Sequence, residues 1–249
     1  MSGADLTVRA LPPLPEVRPG DDLAALLVAA HPAPFPGDAV LVVSHKVVSK
    51  AEGAIVRLAD VVPSPRAVEL ARELDKDPAV VEVVLGQTRE VVRARRGVLI
   101  CRTHHGFVAA HAGVDGSNVA AGSVVTLPVD PDASARRLRD ALPGRPAVVI
   151  ADSFGRPWRH GQAEVAIGCA GLVALDDRRG QADREGQELL ATQIAIADHV
   201  AGAADLARLK DDGRPAVLVT GLGRWRTDEH GPGAAALRRA ADEDLFGAA

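Results

Sequence analysis

The chain has 249 residues, a formal charge of −4 and 47% hydrophobic residues, enough to bury one full core and too acidic for a general grip on nucleic acid. No apolar run approaches the roughly 20 residues of a bilayer span, and "MSGADLTVRALPPLPEV" lacks the basic and apolar stretches of a signal peptide, so the expected setting is cytoplasmic, with no membrane contact. Aromatic content of 2% with no Tyr leaves few platforms for stacking bases, and Cys101 and Cys169, in no C-x-x-C spacing, read as buried reduced thiols.

After a Pro-rich lead, residues 20–31, "GDDLAALLVAAH", read as a short helix opened by an acidic turn. Residues 37–53, "GDAVLVVSHKVVSKAEG", read as an interior strand leaving a Gly-Asp turn, since the run is apolar on both faces. In 64–87 the apolar residues recur at helical spacing behind Ser64 as N-cap, and Pro78 interrupts the helix and starts a second. Residues 97–115 suggest a β-hairpin feeding a loop, 130–142 a helix, 146–153 a strand, and 165–175 a strand or strand pair. The strongest helical pattern is 183–210, with Leu189, Leu190, Ile194, Ile196 and Val200 along it; 214–222 closes as a strand, and 231–249 reads as a terminal helix of marginal order. Strands and helices alternate imperfectly, so the class is α+β, or mixed α/β, in one domain over 1–249, with two subdomains as the variant and 223–249 as a peripheral tail.

Three stretches can carry chemistry. In "AVVIADSFGRPWRHGQ" an apolar strand runs into Asp152 and Ser153, placing a carboxylate at the sheet's rim with Arg156, Arg159 and His160 just behind. In "HAGVDGSNVAAGSVVTLP" Asp115 sits between glycines with Ser117 and Asn118 after it, a loop suited to bringing N–H groups near anionic oxygens. Asp115 and Asp152 together would suit Mg²⁺ or Mn²⁺; two unrelated turn aspartates is the plain alternative. In "VVSHKVVSKAEG" Lys46 and Lys50, four apart, would serve a phosphate as point charges or stand as solvated lysines. The P-loop, the dinucleotide glycine fingerprint and the nucleophile elbow are all missing. Further basic patches lie at Arg93, Arg95 and Arg96 and at Arg178 and Arg179.

Six ordered blocks, "LPEVRPGDDL", "VVSKAEG", "AGVDGSNVAAGS", "DPDASARRLRDAL", "DSFGRPWRHGQ" and "AIGCAGL", resemble the coenzyme F420-0:L-glutamate (γ-glutamyl) ligases from about residue 5 to about residue 222. The resemblance implies that family's fold as an intertwined homodimer. It implies GTP-dependent addition of L-glutamate to the lactyl carboxylate of F420-0 through an acyl phosphate, with Mg²⁺ or Mn²⁺ and K⁺ as ions. Carried over residue by residue, nucleotide contacts fall on Leu14, Pro15, Glu16, Val17, His45, Lys46, Lys50 and Asn118, and metal ligands on Asp115, Asp152 and Ser153. Asp115, Asp152 and Arg156 would carry the catalysis. Where the family has a Gly-rich loop with an acidic ligand for a second metal, this chain reads "LARLKDDGRP". Two options follow: Lys210 meets the nucleotide, or Asp211 or Asp212 takes the metal. No general base for the glutamate amine stands out; His111 and His160 are candidates by position only. A metal-dependent phosphohydrolase and a non-catalytic nucleotide-binding protein of the same fold are the competing readings.

Overall fold

The computed structural model describes residues 5–240 and 243–244. The first half of the chain supplies β1 (Thr7–Ala10), α1 (Leu23–Ala30), β2 (Val40–Ser44), α2 (His45–Ala51), β3 (Ile55–Arg57), α3 (Pro65–Leu74), α4 (Pro78–Gly86), β4 (Thr88–Arg95), β5 (Val98–Thr103) and β6 (Val108–Ala110). The second half adds β7 (Ser123–Val125), α5 (Pro131–Ala141), β8 (Ala147–Arg156), β9 (Arg159–Ala170), β10 (Asp176–Asp177), β11 (Gln193–Ile194), α6 (Ile196–Asp205) and β12 (Ala216–Thr220). The class is mixed α/β.

The main sheet has the order β1-β12-β2-β8-β9, with β2 and β8 parallel and the other neighbours antiparallel. Alternation along β2 explains its unbroken apolar run, because Leu41 and Val43 face one core while Val40 and Val42 face another. The first core takes Leu23 and Leu27 of α1, Val48 of α2 and Ala135 and Leu138 of α5. The second takes Ile196, Val200 and Ala204 of α6. A third, smaller cluster packs α3 and α4 against Leu99 and Cys101 of β5. Both cysteines are free and buried, and burial, followed by the nearby Asp132 charge, pushes the Cys169 thiol up to about 12.

Local signals explain the helices. Ser64 accepts from Ala67 N–H to open α3, and Asp77 accepts from Ala79 N–H with Pro78 in the first turn of α4, which is the expected break and restart. Asp22 caps α1 and Asp130 caps α5 in the same way. Gly168 of β9 is a close approach: a Cβ there would lie 2.3 Å from the Pro131 carbonyl oxygen at the start of α5.

Five expectations are corrected. The strand expected over 37–53 ends at Ser44, and the valine pair that follows turns into α2, which lays Val48 into the core while Lys46 and Lys50, one turn apart, share a face. The strand expected over 146–153, ending with Asp152 and Ser153, runs on: β8 loses its pairing with β2 after Ser44↔Ala151 but keeps its pairing with β9 to Arg156↔Arg159. The carboxylate therefore stands at the rim left by β2, and a two-stranded ribbon projects beyond it. Only Ile196–Asp205 of the long helix expected over 183–210 is helical. Asp183 accepts from the N–H groups of Glu185 and Gln187 in a turn, and Leu190, 77% exposed, has no core to enter. The expected terminal helix is, in the described residues, a 3₁₀ turn at Gly233–Leu237. Nor is that segment peripheral: Ala234 is buried in the second core, and its N–H donates to the Asp132 carboxylate that also accepts from Cys169 N–H. Residues 241–242 and 245–249 lie outside the described part.

Candidate active site

A cavity of about 700 Å³ opens at the C-terminal end of β2, where β8 and β9 run on without it. Five segments wall it: Leu14–Val17, the start of α2, the loop around Asp115, the β8–β9 ribbon at Asp152, Ser153 and Glu164, and the turn 208–215 after α6. The segments are tied to one another. Leu14 N–H donates to Gly213 O at 3.0 Å, and Ser44 N–H to Pro215 O at 2.8 Å. The Asp115 backbone exchanges both of its hydrogen bonds with Val125 of β7, at 3.0 and 2.8 Å. Gly113, with φ of +74°, backs onto Leu127, and a Cβ there would come within 2.7 Å of it. Asn118 reaches the cavity from a left-handed conformation that Asn tolerates.

Charges in this cavity are paired across segments. Lys46 Nζ lies 2.8 Å from Asp115 Oδ2 and donates to Ser117 Oγ at 2.5 Å. Lys50, nearly buried, donates to Glu16 Oε1 at 2.5 Å. His45 Nε2, buried, stands 3.1 Å from Asp152 Oδ1 but off the hydrogen-bonding line, and its Nδ1 is 3.5 Å from Ser49 Oγ. Ser153 donates its hydroxyl to Glu164 Oε1 at 2.5 Å and accepts from Lys210 Nζ at 2.8 Å. Arg208 is in ionic contact with Glu164 Oε2 at 2.9 Å, both side chains being under a tenth exposed. Burial is the largest single influence on Asp115 and works against its ionisation. The Lys46 ammonium and the Ser117 N–H together outweigh it and hold the carboxyl below the ordinary range.

The lining carries seven carboxylates, Glu16, Asp115, Asp152, Glu164, Asp205, Asp211 and Asp212, against five cationic side chains, Lys46, Lys50, Arg208, Lys210 and Arg214, a formal excess of two negative charges. Such a cavity repels a polyphosphate unless a cation enters with it. Among the described residues no three His, Cys, Asp or Glu side chains converge as a complete metal cage. Mg²⁺ takes one or two carboxylates and completes its shell with phosphate oxygens and water, so the donor set of Asp115, Asp152 and hydroxyl oxygens fits a hard divalent ion carried by a nucleotide.

A sequence profile described as F420-0:γ-glutamyl ligase matches residues 13–221. Relatives named coenzyme F420:L-glutamate ligase include one from Methanopyrus kandleri, 43% identical over 97% of this chain and 97% of its own length. One from Methanothermobacter thermautotrophicus is 41% identical over 94% and 95%, and one from Methanocaldococcus jannaschii 41% identical over 78% and 79%.

The chain belongs to the F420-0:γ-glutamyl ligase family.

In this family member the cavity gathers Leu14, Pro15, Glu16, Val17, His45, Lys46, Lys50, Asp115, Asn118, Asp152, Ser153 and Lys210, all the expected binding and metal residues, from five separated stretches. Arg156 is not in the lining. At the ribbon tip its guanidinium donates to the carbonyls of His160 and Gly161, at 2.6 and 3.3 Å, which answers part of its charge within its own hairpin. His111 and His160 also stand outside the lining. Burial, then the Lys76 charge, lowers the His111 pKa. The patch at Arg178 and Arg179 is neutralised locally by Asp176 and Asp177, and the Arg179 hydrogen bonds bring Asp177 down to about 2. Sequence reasoning missed Glu164 and Arg208. The available signal for Glu164 was a carboxylate facing inward in a strand whose neighbours Val165, Ala166 and Ile167 are apolar.

Proposed function

We propose that this protein joins L-glutamate to the lactyl carboxylate of coenzyme F420-0 at the expense of GTP, by way of an acyl phosphate. The observation that carries the reading is the convergence of Asp115, Asp152, Lys46 and Lys50 on one cavity in a chain of this family. A carboxylate has no leaving group, so an amide forms from it only after activation. Attack of the carboxylate oxygen on the γ-phosphorus releases GDP and leaves the acyl phosphate; the glutamate amine then adds to the acyl carbon, loses a proton and expels phosphate.

Asp115 and Asp152 would hold Mg²⁺ or Mn²⁺, which when bound supplies the positive charge that the phosphoryl oxygens need. Lys46 and Lys50 each hold a carboxylate at present, and a phosphate oxygen presented there competes for the same ammonium with a stronger charge. Backbone groups of Leu14 to Val17, fixed by the bond to Gly213, offer N–H and C=O groups for reading a base edge, with Pro15 lacking the donor. The intertwined homodimer and the accessory K⁺ belong to the same proposal, as does a cytoplasmic site of action; no helix among the described residues is long and apolar enough to cross a membrane.

The test is mass spectrometry of F420-0 incubated with L-glutamate, GTP and Mg²⁺ or Mn²⁺, with GDP and phosphate followed in parallel. The expected product carries an added glutamyl residue, and GDP accumulates beyond one equivalent per site only when F420-0 and L-glutamate are both present. Full-rate phosphate release without glutamate would identify a phosphohydrolase instead.

A further inference from the structure

The turn that carries Lys210 is held from every side. Arg208 donates to Pro215 O at 3.1 Å, Asp212 accepts from Leu209 N–H and Arg214 N–H, both at 3.0 Å, and Gly213 O accepts from Leu14 N–H. The two backbone bonds use both Asp212 oxygens and hold its pKa down, against burial as the largest opposing influence, so Asp212 is a turn former. From this fixed turn the Lys210 ammonium reaches into the cavity and rests on Ser153 Oγ at 2.8 Å.

A serine hydroxyl has one proton and two lone pairs. Here the proton goes to Glu164 and a lone pair receives Lys210. A divalent ion on that oxygen would have to stand against an ammonium already there. The Glu164 charge is met by Arg208, so the charge of Lys210 is not consumed by its neighbour's carboxylate. Of the three lysines in the lining, Lys46 and Lys50 are paired with Asp115 and Glu16, whereas the hydrogen-bond partner of Lys210 is a neutral hydroxyl. An incoming anion can take up Lys210 without breaking an ion pair.

We infer that Lys210 is a built-in cation of the phosphate site, standing on Ser153 where a second metal ion would otherwise bind, so that this enzyme uses one divalent ion per chain. The inference rests on the nucleotide and metal binding proposed for this cavity. It makes Lys210 a nucleotide-binding residue and removes Ser153 from the metal ligands.

The experiment counts bound Mn²⁺ by electron paramagnetic resonance in the full-length chain with the imido analogue of GTP, alongside calorimetric nucleotide affinity and thermal midpoints without ligand. The wild type is expected to bind one Mn²⁺ per chain. Lys210→Ala should lower nucleotide affinity by about tenfold or more, the order of a lost charge-assisted hydrogen bond, with the ligand-free midpoint unchanged. Lys210→Glu should raise the count to two by placing a carboxylate beside the freed hydroxyl. Two Mn²⁺ in the wild type, an unchanged affinity in Lys210→Ala, or a count still at one in Lys210→Glu would each overturn the inference. A wild type that ligates glutamate with two ions refutes this inference alone. One ion and a Lys210-dependent nucleotide affinity, without ligation, refute the proposed reaction and leave the inference standing.

Discussion

Replacing Arg208 by Met keeps most of the aliphatic stem and removes the guanidinium that faces Glu164 at 2.9 Å, with the two side chains 9% and 4% exposed. At that separation the gross attraction is about 6 kcal/mol for an effective dielectric near 20, and removing one member of a buried pair typically costs about 3–5 kcal/mol because the other charge stays behind. Glu164 keeps its bond from Ser153, which places the expected loss near the lower end, about 3 kcal/mol, while the Arg208 bond to Pro215 O is lost as well. For a chain of this size that corresponds to a drop in Tm of about 6–12 °C. The assay is a double-mutant cycle of Arg208→Met, Glu164→Gln and the pair, by chemical and thermal unfolding. The double variant should recover at least about 2 kcal/mol relative to Arg208→Met, since no buried charge is then left alone. A single variant within about 1 kcal/mol of the wild type, or a double variant no better than the single, would refute the idea that this pair is electrostatically coupled inside the cavity wall.

Asp115→Asn and Asp152→Asn should each remove most ligation while moving Tm by only a few degrees, because the partly exposed Lys46–Asp115 pair contributes about 1 kcal/mol or less; near-normal turnover in either variant removes that residue from the site. The Asp115 carboxyl is held below its ordinary value, so its contribution to stability is complete above the unfolded pKa of about 4 and is lost as the pH falls through the lower folded value. The slope of Tm against pH in that acidic window should therefore be shallower in Asp115→Asn, and identical slopes would contradict the assignment. Gly168→Ala drives a Cβ to within 2.3 Å of a backbone oxygen and should cost about 3 kcal/mol or more or prevent folding; a soluble variant with an unchanged midpoint would show that α5 can shift away. GTP should support glutamate addition better than ATP at matched concentrations, and equal initial rates would count against base reading by the Leu14–Val17 segment.

Local signals made most of the scaffold readable. Ser64, Asp77 and Pro78 mark two helices by capping and by a missing donor, and "AVLVV" marks an interior strand because both faces of β2 are buried. The failures share one cause, which is that the deciding contact lies outside the segment being read. "HKVVSKA" has the valines of a strand but turns helical where the sheet ends, and the neighbour on which β8 continues is β9, not β2. The pattern over 183–195 has helical periodicity, but Leu190 is exposed and Ile194 meets the second core from a short strand paired with Asp176–Asp177, so no continuous apolar face is buried to hold a helix. In the site, Asp115, Asp152 and the lysines are readable as residue types suited to phosphate and metal. Their pairing, Lys46 with Asp115 and Lys50 with Glu16, spans tens of residues and follows only from the fold. Glu164 and Arg208 escaped notice for the same reason: each is ordinary in its own stretch, and only the packing of the 208–215 turn against β9 makes them a pair.

These pairs set the state from which the site works. Without substrate, Lys46, Lys50 and Arg208 are held by carboxylates drawn from other wall segments, and His45 faces Asp152. The same contacts thus join the walls and keep the cavity's charges compensated. Arg208 and Glu164 are enclosed, and separating them would strand two charges in a low-dielectric wall, so that pair serves as the fixed base of the site. Lys46–Asp115 and Lys50–Glu16 each include a carboxylate that reaches solvent, with 41% and 70% exposure, and water can take over that carboxylate when the lysine changes partner. The exchangeable pairs are those beside the Leu14–Val17 segment and the Asp115 loop, and the permanent one lies beneath Ser153. On the proposed function, a polyphosphate arriving with its cation replaces the first two at little cost while the Arg208–Glu164 pair stays in place.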